Sequence, residues 1–262
     1  MTSLKQTLQH WYQQYLIFWI VPIVVLIAWE LGTRVGIIPP RLLPGPIAVA
    51  GAAIKLITSG VLMENIAIST VRALVGLLIG GSLGFTLGLL NGLFNTSEKL
   101  LDSSLQMIRT IPNLALLPLV ILWFGIGETA RVFLISLGVF FPIYLNTFHG
   151  IRQIDKGLIE MGKVYGLSPW GLFRQVIFPG ALPSILVGLR FSLGIMWLTL
   201  IVAETIAAKS GIGYMTSTAR EFMQTDIMVF ALVLYALLGK LADVVARLLE
   251  RRLLRWHPSY QK

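Results

Sequence analysis

Long apolar runs with almost no charge in them constrain this chain more than any other feature. A helix needs about 20 mostly apolar residues to cross the hydrocarbon core of a bilayer. Five or six stretches qualify, near residues 16–29, 68–90, 105–124, 132–148, 184–207 and 228–249. Only 13% of the 262 residues are charged, against about 25% in a typical soluble domain. So few charges cannot cover a water-soluble globule of this size. At 56% hydrophobic residues the chain is also far from the low hydrophobicity that disorder needs. The absence of cysteine removes disulfides, thiol chemistry and cysteine-ligated metal from consideration. The expected class is an all-α integral membrane protein with six transmembrane helices.

The individual runs carry more information. The first contains Pro22, which a membrane helix tolerates. It lacks the charged n-region and small-residue cleavage site of a signal peptide, since Lys5 stands alone before it. The second, ISTVRALVGLLIGGSLGFTLGLL, places Gly76, Gly80, Gly84 and Gly88 at every fourth position. Such a stripe allows a second helix to come close, although membrane helices are enriched in glycine generally. The third holds Pro112 and Pro118 and reads as broken or kinked. In the fifth, Gly188 and Gly194 are further candidates for close packing. An amphipathic helix is expected around 47–59, after the proline-rich IPPRLLPGP.

Orientation follows from the Lys/Arg bias. With the N-terminus inside, Arg34, Arg41, Lys55, Arg131, Lys209 and Arg220 fall outside, and Arg72, Arg190 and Lys240 fall in or near spans. The other twelve of the 21 basic residues fall on the cytoplasmic side. Among them is the C-terminal RRLLRWHP, so both termini are expected in the cytoplasm. The net charge of +9 therefore reflects basic loops beside a bilayer and does not imply nucleic acid.

One segment, His149 to Pro183, is too long for a turn and too polar to span. Residues 154–165 can form a short helix with Ile154, Leu158, Met161 and Tyr165 near one face. Gly166 ends it. Ser168 then caps a second short helix with Pro169 at its first position, presenting Trp170, Phe173 and Ile177 before Pro179 stops it. Two short helices joined at a glycine and carrying exposed aromatics suggest a docking surface; a helix lying on lipid is the alternative.

The spacing here resembles a known signature. Glu160 is followed by Gly166, Val176, Phe178 and Pro179. This resembles the EAA motif of the membrane subunits of binding-protein-dependent ABC importers, with Met161 and Gly162 in place of two alanines and Val176 and Phe178 in place of Ile and Leu. Gly162 is expected to weaken the helix by about 1 kcal/mol relative to alanine. The strings LPGP (43–46), SLQMIRTIPNLALLPLVILWFGIGE (104–128), FFPIYLNTFHGIR (140–152) and WLTLIVAETIAAKSGIGY (197–214) resemble the subgroup that transports nitrate, taurine, bicarbonate and aliphatic sulfonates. LWFGI and FPGALPSI point within it towards aliphatic sulfonate permeases.

The resemblance implies a type I ABC importer permease fold with cytoplasmic coupling helices, in the bacterial cytoplasmic (inner) membrane. It implies a homodimer, two cytoplasmic ABC ATPase subunits and an external or periplasmic substrate-binding protein. The expected organisation is an N-terminal tail, first helix and external segment (1–58), a transmembrane core (59–249) and a basic tail (250–262). Glu160, Gly166 and Pro179 become the ATPase-coupling residues. Arg190 either anchors its helix by snorkelling or assists an anion along the pathway. Glu204 is expected to bond the AKSGIGY loop or Lys209, and Asp243 to pair with Lys240, three residues away.

No GxxxxGK[ST] string occurs in the sequence, so the chain itself is not expected to be an enzyme. It carries no cofactor; ATP-Mg would sit on the partner ATPase. Neither a metal-ligand cluster nor a GxSxG nucleophile is visible. The competing classes are an intramembrane enzyme, which needs paired polar groups inside spans, and a membrane scaffold, which needs no jointed loop.

Overall fold

The computed structural model describes residues 17–256, and every regular element among them is a helix. In chain order these are α1 (Ile17–Arg34), α2 (Pro46–Thr58), α3 (Val61–Leu93), α4 (Asn95–Arg109), a 3-10 turn (Asn113–Leu116), α5 (Leu117–Phe124), α6 (Glu128–Arg152), α7 (Lys156–Val164), α8 (Pro169–Leu172), a π-helical turn (Phe173–Ile177), α9 (Phe178–Ala207), α10 (Ile212–Glu221) and α11 (Thr225–Leu253). Lys5, His10, His257 and Lys262 lie outside the described residues.

Four helical stretches are long and apolar enough to cross a membrane: α3, α6, the run from α8 through α9, and α11. The expected third span is not one rod. Its two halves, Asn95–Arg109 and Asn113–Phe124, meet at 84° and count as a fifth span only if taken together. The cause is local. Pro112 lacks a donor and its ring disfavours helical geometry in the residue before it, so α4 stops at Arg109. Helix α1 corresponds to the first expected run and is apolar as far as Trp29.

The chain divides into two compact units, one drawn from residues 1–62 and 218–233, the other from 63–217 and 234–262. In the first, α2 starts with Pro46 in its first turn and Gly45 as its cap residue. The Glu30 carboxylate of α1 accepts the Ile47 N–H at 3.2 Å and pairs with Arg34 at 2.7 Å. This gives an otherwise unsatisfied helix-start donor its partner. A side chain at Gly45 would fall 2.6 Å from the Glu30 carboxylate, which accounts for glycine in LPGP. The amphipathic helix expected near 47–59 is α2.

In the second unit α6 is the most deeply buried helix. The glycine stripe of α3 lies against it. A Cβ at Gly80 would clash with the Ser136 carbonyl; at Gly84 it would lie 2.5 Å from the Phe140 carbonyl, and at Gly88 2.7 Å from that of Tyr144. The stripe is thus a packing face, and Gly92 extends it to Ile151. On another side α6 meets α9, where Gly188 sits against the Pro142 carbonyl and Asn146. Ser192 and Ser184 donate across the same contact to the carbonyls of Val139 (3.0 Å) and Asn146 (2.8 Å). Gly194, the other α9 candidate, faces open space among the described residues. Val120 of α5, Ala130 and Leu134 of α6 and Ala203 of α9 close an apolar cluster. Buried Asn91 donates to the Tyr144 hydroxyl, which donates in turn to Asp102, each at 2.8 Å. That chain ties the end of α3 and the middle of α4 to α6.

Bulk on the stripe has nowhere to go, because the opposing atoms are backbone. Overpacking costs roughly 1–3 kcal/mol per site. The Gly80→Leu, Gly84→Leu double variant is expected to lose its monodisperse peak in detergent and to unfold at lower temperature. Wild-type melting and elution in that variant would refute the assigned contact.

Candidate functional site

The segment after α6 builds a jointed pair of short helices from cap chemistry. Helix α6 runs on to Arg152, so His149 lies in its last turn and not in a loop. Asp155 then caps α7, its carboxylate accepting the Gly157 N–H at 2.8 Å. At the other end Gly166 has φ +76°, a value that glycine adopts without the Cβ clash other residues suffer. The Leu167 N–H bonds the Gly162 carbonyl at 3.0 Å and the Gly166 N–H that of Lys163 at 2.9 Å. This is the Schellman pattern of helix termination. Two residues on, Ser168 accepts the Gly171 N–H at 3.1 Å, with Pro169 in the first helical position.

Pro179 departs from expectation. It does not stop the second short helix; it occupies the first turn of α9. Helix α8 is a single turn that passes through the π turn, where the Phe178 N–H reaches back five residues to Phe173, and the chain continues as α9. With helical backbone on both sides, Pro179 leaves one helical carbonyl without its N–H donor. The wider π turn before it relaxes the ring's clash with the preceding carbonyls. The jointed pair is therefore continuous with a spanning helix. Gly162 also proves more than a weak helix former: a Cβ there would lie 2.7 Å from Leu172, so the glycine lets α8 close on α7.

Large side chains on this pair point outwards. Val164 is 86% exposed, Tyr165 81% and Trp170 67%. Trp170 stacks on Phe173 with ring centroids 5.5 Å apart. Glu160 is exposed and makes no ion pair among the described residues. Glu160, Gly166 and Pro179 thus occupy the face, the joint and the root of one element.

Arg190 is held elsewhere. Its guanidinium bonds Asp243 of α11 at 2.7 Å and approaches Glu250 at 3.9 Å, with 43% of its side chain exposed. The other Asp243 oxygen accepts from Arg247 at 2.9 Å. Both oxygens being occupied, Asp243 belongs to Arg190 and Arg247 and not to Lys240.

A second polar constellation was not foreseen as a unit. Arg72 of α3 and Glu204 of α9 form a buried ion pair at 2.7 Å, with side-chain exposures of 5% and 1%. Glu204 also accepts from Ser69 (2.8 Å) and from the Gly213 N–H (2.9 Å). Arg72 forks onto Glu128 at 2.6 Å and reaches the Ser210 carbonyl at 2.7 Å. Asn65 accepts the Gly211 N–H at 2.6 Å. Glu204 does bond the AKSGIGY segment, at Gly213 in the first turn of α10, but its charge partner is Arg72 and not Lys209. The available signal was an Arg and a Glu inside two apolar runs; nothing in the sequence says that residues 132 apart meet. Trp197 and Thr199 of α9 are buried, whereas Trp123 of α5 is exposed.

This architecture, spanning helices around α6 with a short jointed pair rooted in one of them, is that of a multi-pass membrane protein, and the family it matches makes it a permease, a transport subunit. Residues 76–255 match the family model described as the binding-protein-dependent transport system inner membrane component, and the chain belongs to that family. It is 62% identical over 242 residues to the permease protein SsuC of Escherichia coli (strain K12), named for aliphatic sulfonates transport, covering 92% of each chain. It is 35% identical over 246 residues to the taurine transport system permease protein TauC of the same organism, covering 91% of this chain and 88% of that one. Among solved structures it is similar to that of an amino acid ABC transporter with histidines. There the TM-score is 0.63 at 17% identity, with 76% of this chain and 97% of that one covered; this likeness concerns the fold alone.

Removing one member of a buried ion pair strands the other and costs about 3–5 kcal/mol, whereas replacing both with apolar groups costs far less. Glu204→Leu is expected to unfold at markedly lower temperature in detergent. The Arg72→Met, Glu204→Leu double variant is expected to recover part of that loss. A double variant as unstable as the sum of its singles would show that the two side chains do not act as a pair.

Proposed function

We propose that this chain is the membrane subunit of an ATP-driven importer of aliphatic sulfonates in the bacterial inner membrane. The observation that carries the substrate is the unequal likeness to two permeases of one organism, 62% to the one named for aliphatic sulfonates and 35% to the one named for taurine. The observation that carries the mechanism is the jointed pair, exposed at its tip and continuous at its root with α9.

In this reading both termini are cytoplasmic and residues 59–249 form the transporting core, flanked by an N-terminal region (1–58) and a basic tail (250–262). Two copies pair around the pathway. The open face of α9, where exposed Phe191 and Leu198 flank Gly194, supports such pairing. Two ATPase subunits hold ATP-Mg and grip the α7–α8 pair, and an external binding protein delivers the substrate. Glu160 meets a basic partner on the ATPase, Gly166 keeps the joint sharp, and Pro179 roots the pair in α9. Motion of the pair then reaches the span without crossing a flexible linker. Arg190 serves as an anchor between α9 and α11.

Reconstitution with the cognate ATPase and binding protein tests the reading. Alkanesulfonates are expected to stimulate ATP hydrolysis, and taurine, nitrate and bicarbonate are not. Stimulation by nitrate or bicarbonate alone would overturn the substrate; no stimulation by any of them in an assembled complex would overturn the role. Gly166→Val forces a β-branched residue to positive φ, at a cost of about 1–2 kcal/mol. That variant is expected to keep ATPase bound while hydrolysing more ATP per sulfonate moved. An unchanged ratio would count against the joint's role in coupling.

A further inference from the structure

Beside α7 lies a groove of about 460 Å³ whose walls come from separate parts of the chain. Leu158, Met161 and Tyr165 of α7 form one side, and Val176 and Pro179 form the floor leading into α9. A further wall is Trp256, from just beyond the end of α11. The tail reaches this position through a compact turn. The Leu254 N–H bonds the Glu250 carbonyl at 2.9 Å, the Leu254 side chain is fully buried, and the Trp256 indole donates to the Leu253 carbonyl at 3.1 Å. Behind the turn, the Arg190–Asp243 pair fixes α11 to α9.

We propose that Trp256 and the basic residues around it are part of the ATPase-docking surface, and that the groove receives an apolar side chain of the ATPase from a patch rimmed by carboxylates. The proposal rests on the reading of α7 and α8 as the ATPase contact and extends it to a site on the C-terminal tail. Two observations favour this occupant. The groove is concave and apolar, and it is continuous with the exposed face of α7. Its surroundings are basic: Lys163 and Arg174 are exposed on the jointed pair, and Arg251, Arg252 and Arg255 on the turn that carries Trp256. An acidic surface complements that charge and speeds encounter, while a buried tryptophan is the residue type most often found to dominate an interface. Basic residues beside a tryptophan also suit anionic lipid, but a flat headgroup layer does not fill a concave groove.

The absence of cysteine allows a direct test. Gln175, exposed on the groove wall, becomes the permease's sole thiol in Gln175→Cys, and its labelling by a maleimide is measured in detergent with and without the cognate ATPase. The expected result is at least tenfold slower labelling in the complex, and equal rates would overturn the proposal. In parallel, Trp256→Ala is expected to weaken ATPase binding about tenfold in detergent, and Trp256→Phe to restore most of it. Wild-type affinity in Trp256→Ala would overturn the proposal. So would a defect that appears only in phosphatidylglycerol vesicles and not in detergent, since that assigns the tryptophan to lipid. Val164→Asp with Trp170→Arg, at two exposed positions off the groove wall, separates the two readings. If that variant alone releases the ATPase, the tail proposal fails and the docking pair stands; if it too binds normally, the docking pair itself fails.

Discussion

Helix α6 can be buried only because two neighbours, α3 and α9, approach it to backbone distance. Among lipid chains, apolar side chains gain little by leaving the solvent, so helix association relies on dispersion, hydrogen bonds and close fit. The α3 stripe supplies fit by removing every side chain from one face, which brings Gly80, Gly84 and Gly88 against α6 carbonyls. Helix α9 supplies it with Gly188 and with serine hydroxyls that reach the α6 backbone. The buried Arg72–Glu204 pair and the Asn91–Tyr144–Asp102 chain then stitch the two ends of this packed layer. The polar groups are tolerable because each meets a partner; the same side chains facing lipid would be costly.

Much of this was legible in the sequence because its cause is local. Apolar runs became helices, and the four-residue glycine period became a contact face. Ser168, Pro169 and Gly166 took the cap, first-turn and joint positions that their backbone preferences dictate. The third run was read as broken, since Pro112 removes both a donor and a helical neighbour. What sequence reasoning missed depends on partners far away in the chain. Arg72 looked like a stray charge until Glu204 and Glu128 were beside it, and Asp243 had a nearer candidate in Lys240 than the Arg190 it binds. Pro179 was misread for a subtler reason: proline usually interrupts a helix, but the π turn before it accommodates the ring, so the helix carries on into α9.

The candidate site follows the same division. Its shape came from caps, and its meaning from continuity. A loop helix tethered by flexible residues can be gripped without moving the membrane part, whereas the α7–α8 pair is fastened to α9 through hydrogen-bonded turns with no free linker. Arg190, weighed as a snorkelling anchor or a pathway residue, binds α9 to the last helix. The α7–α8 pair is thus continuous with one span and, through the Arg190–Asp243 ion pair, tied to a second.

The π turn at Phe173–Ile177 has a geometric consequence of its own. A five-residue return in place of four amounts to one extra residue slipped into the helix, and each residue advances the azimuth by roughly 100°. The aromatic face at Trp170 and the faces of α9 are thus offset by about that angle from their positions in an unbroken α-helix. This single insertion works as an angular offset, fixing the compass bearing of Trp170 relative to the span it leads into.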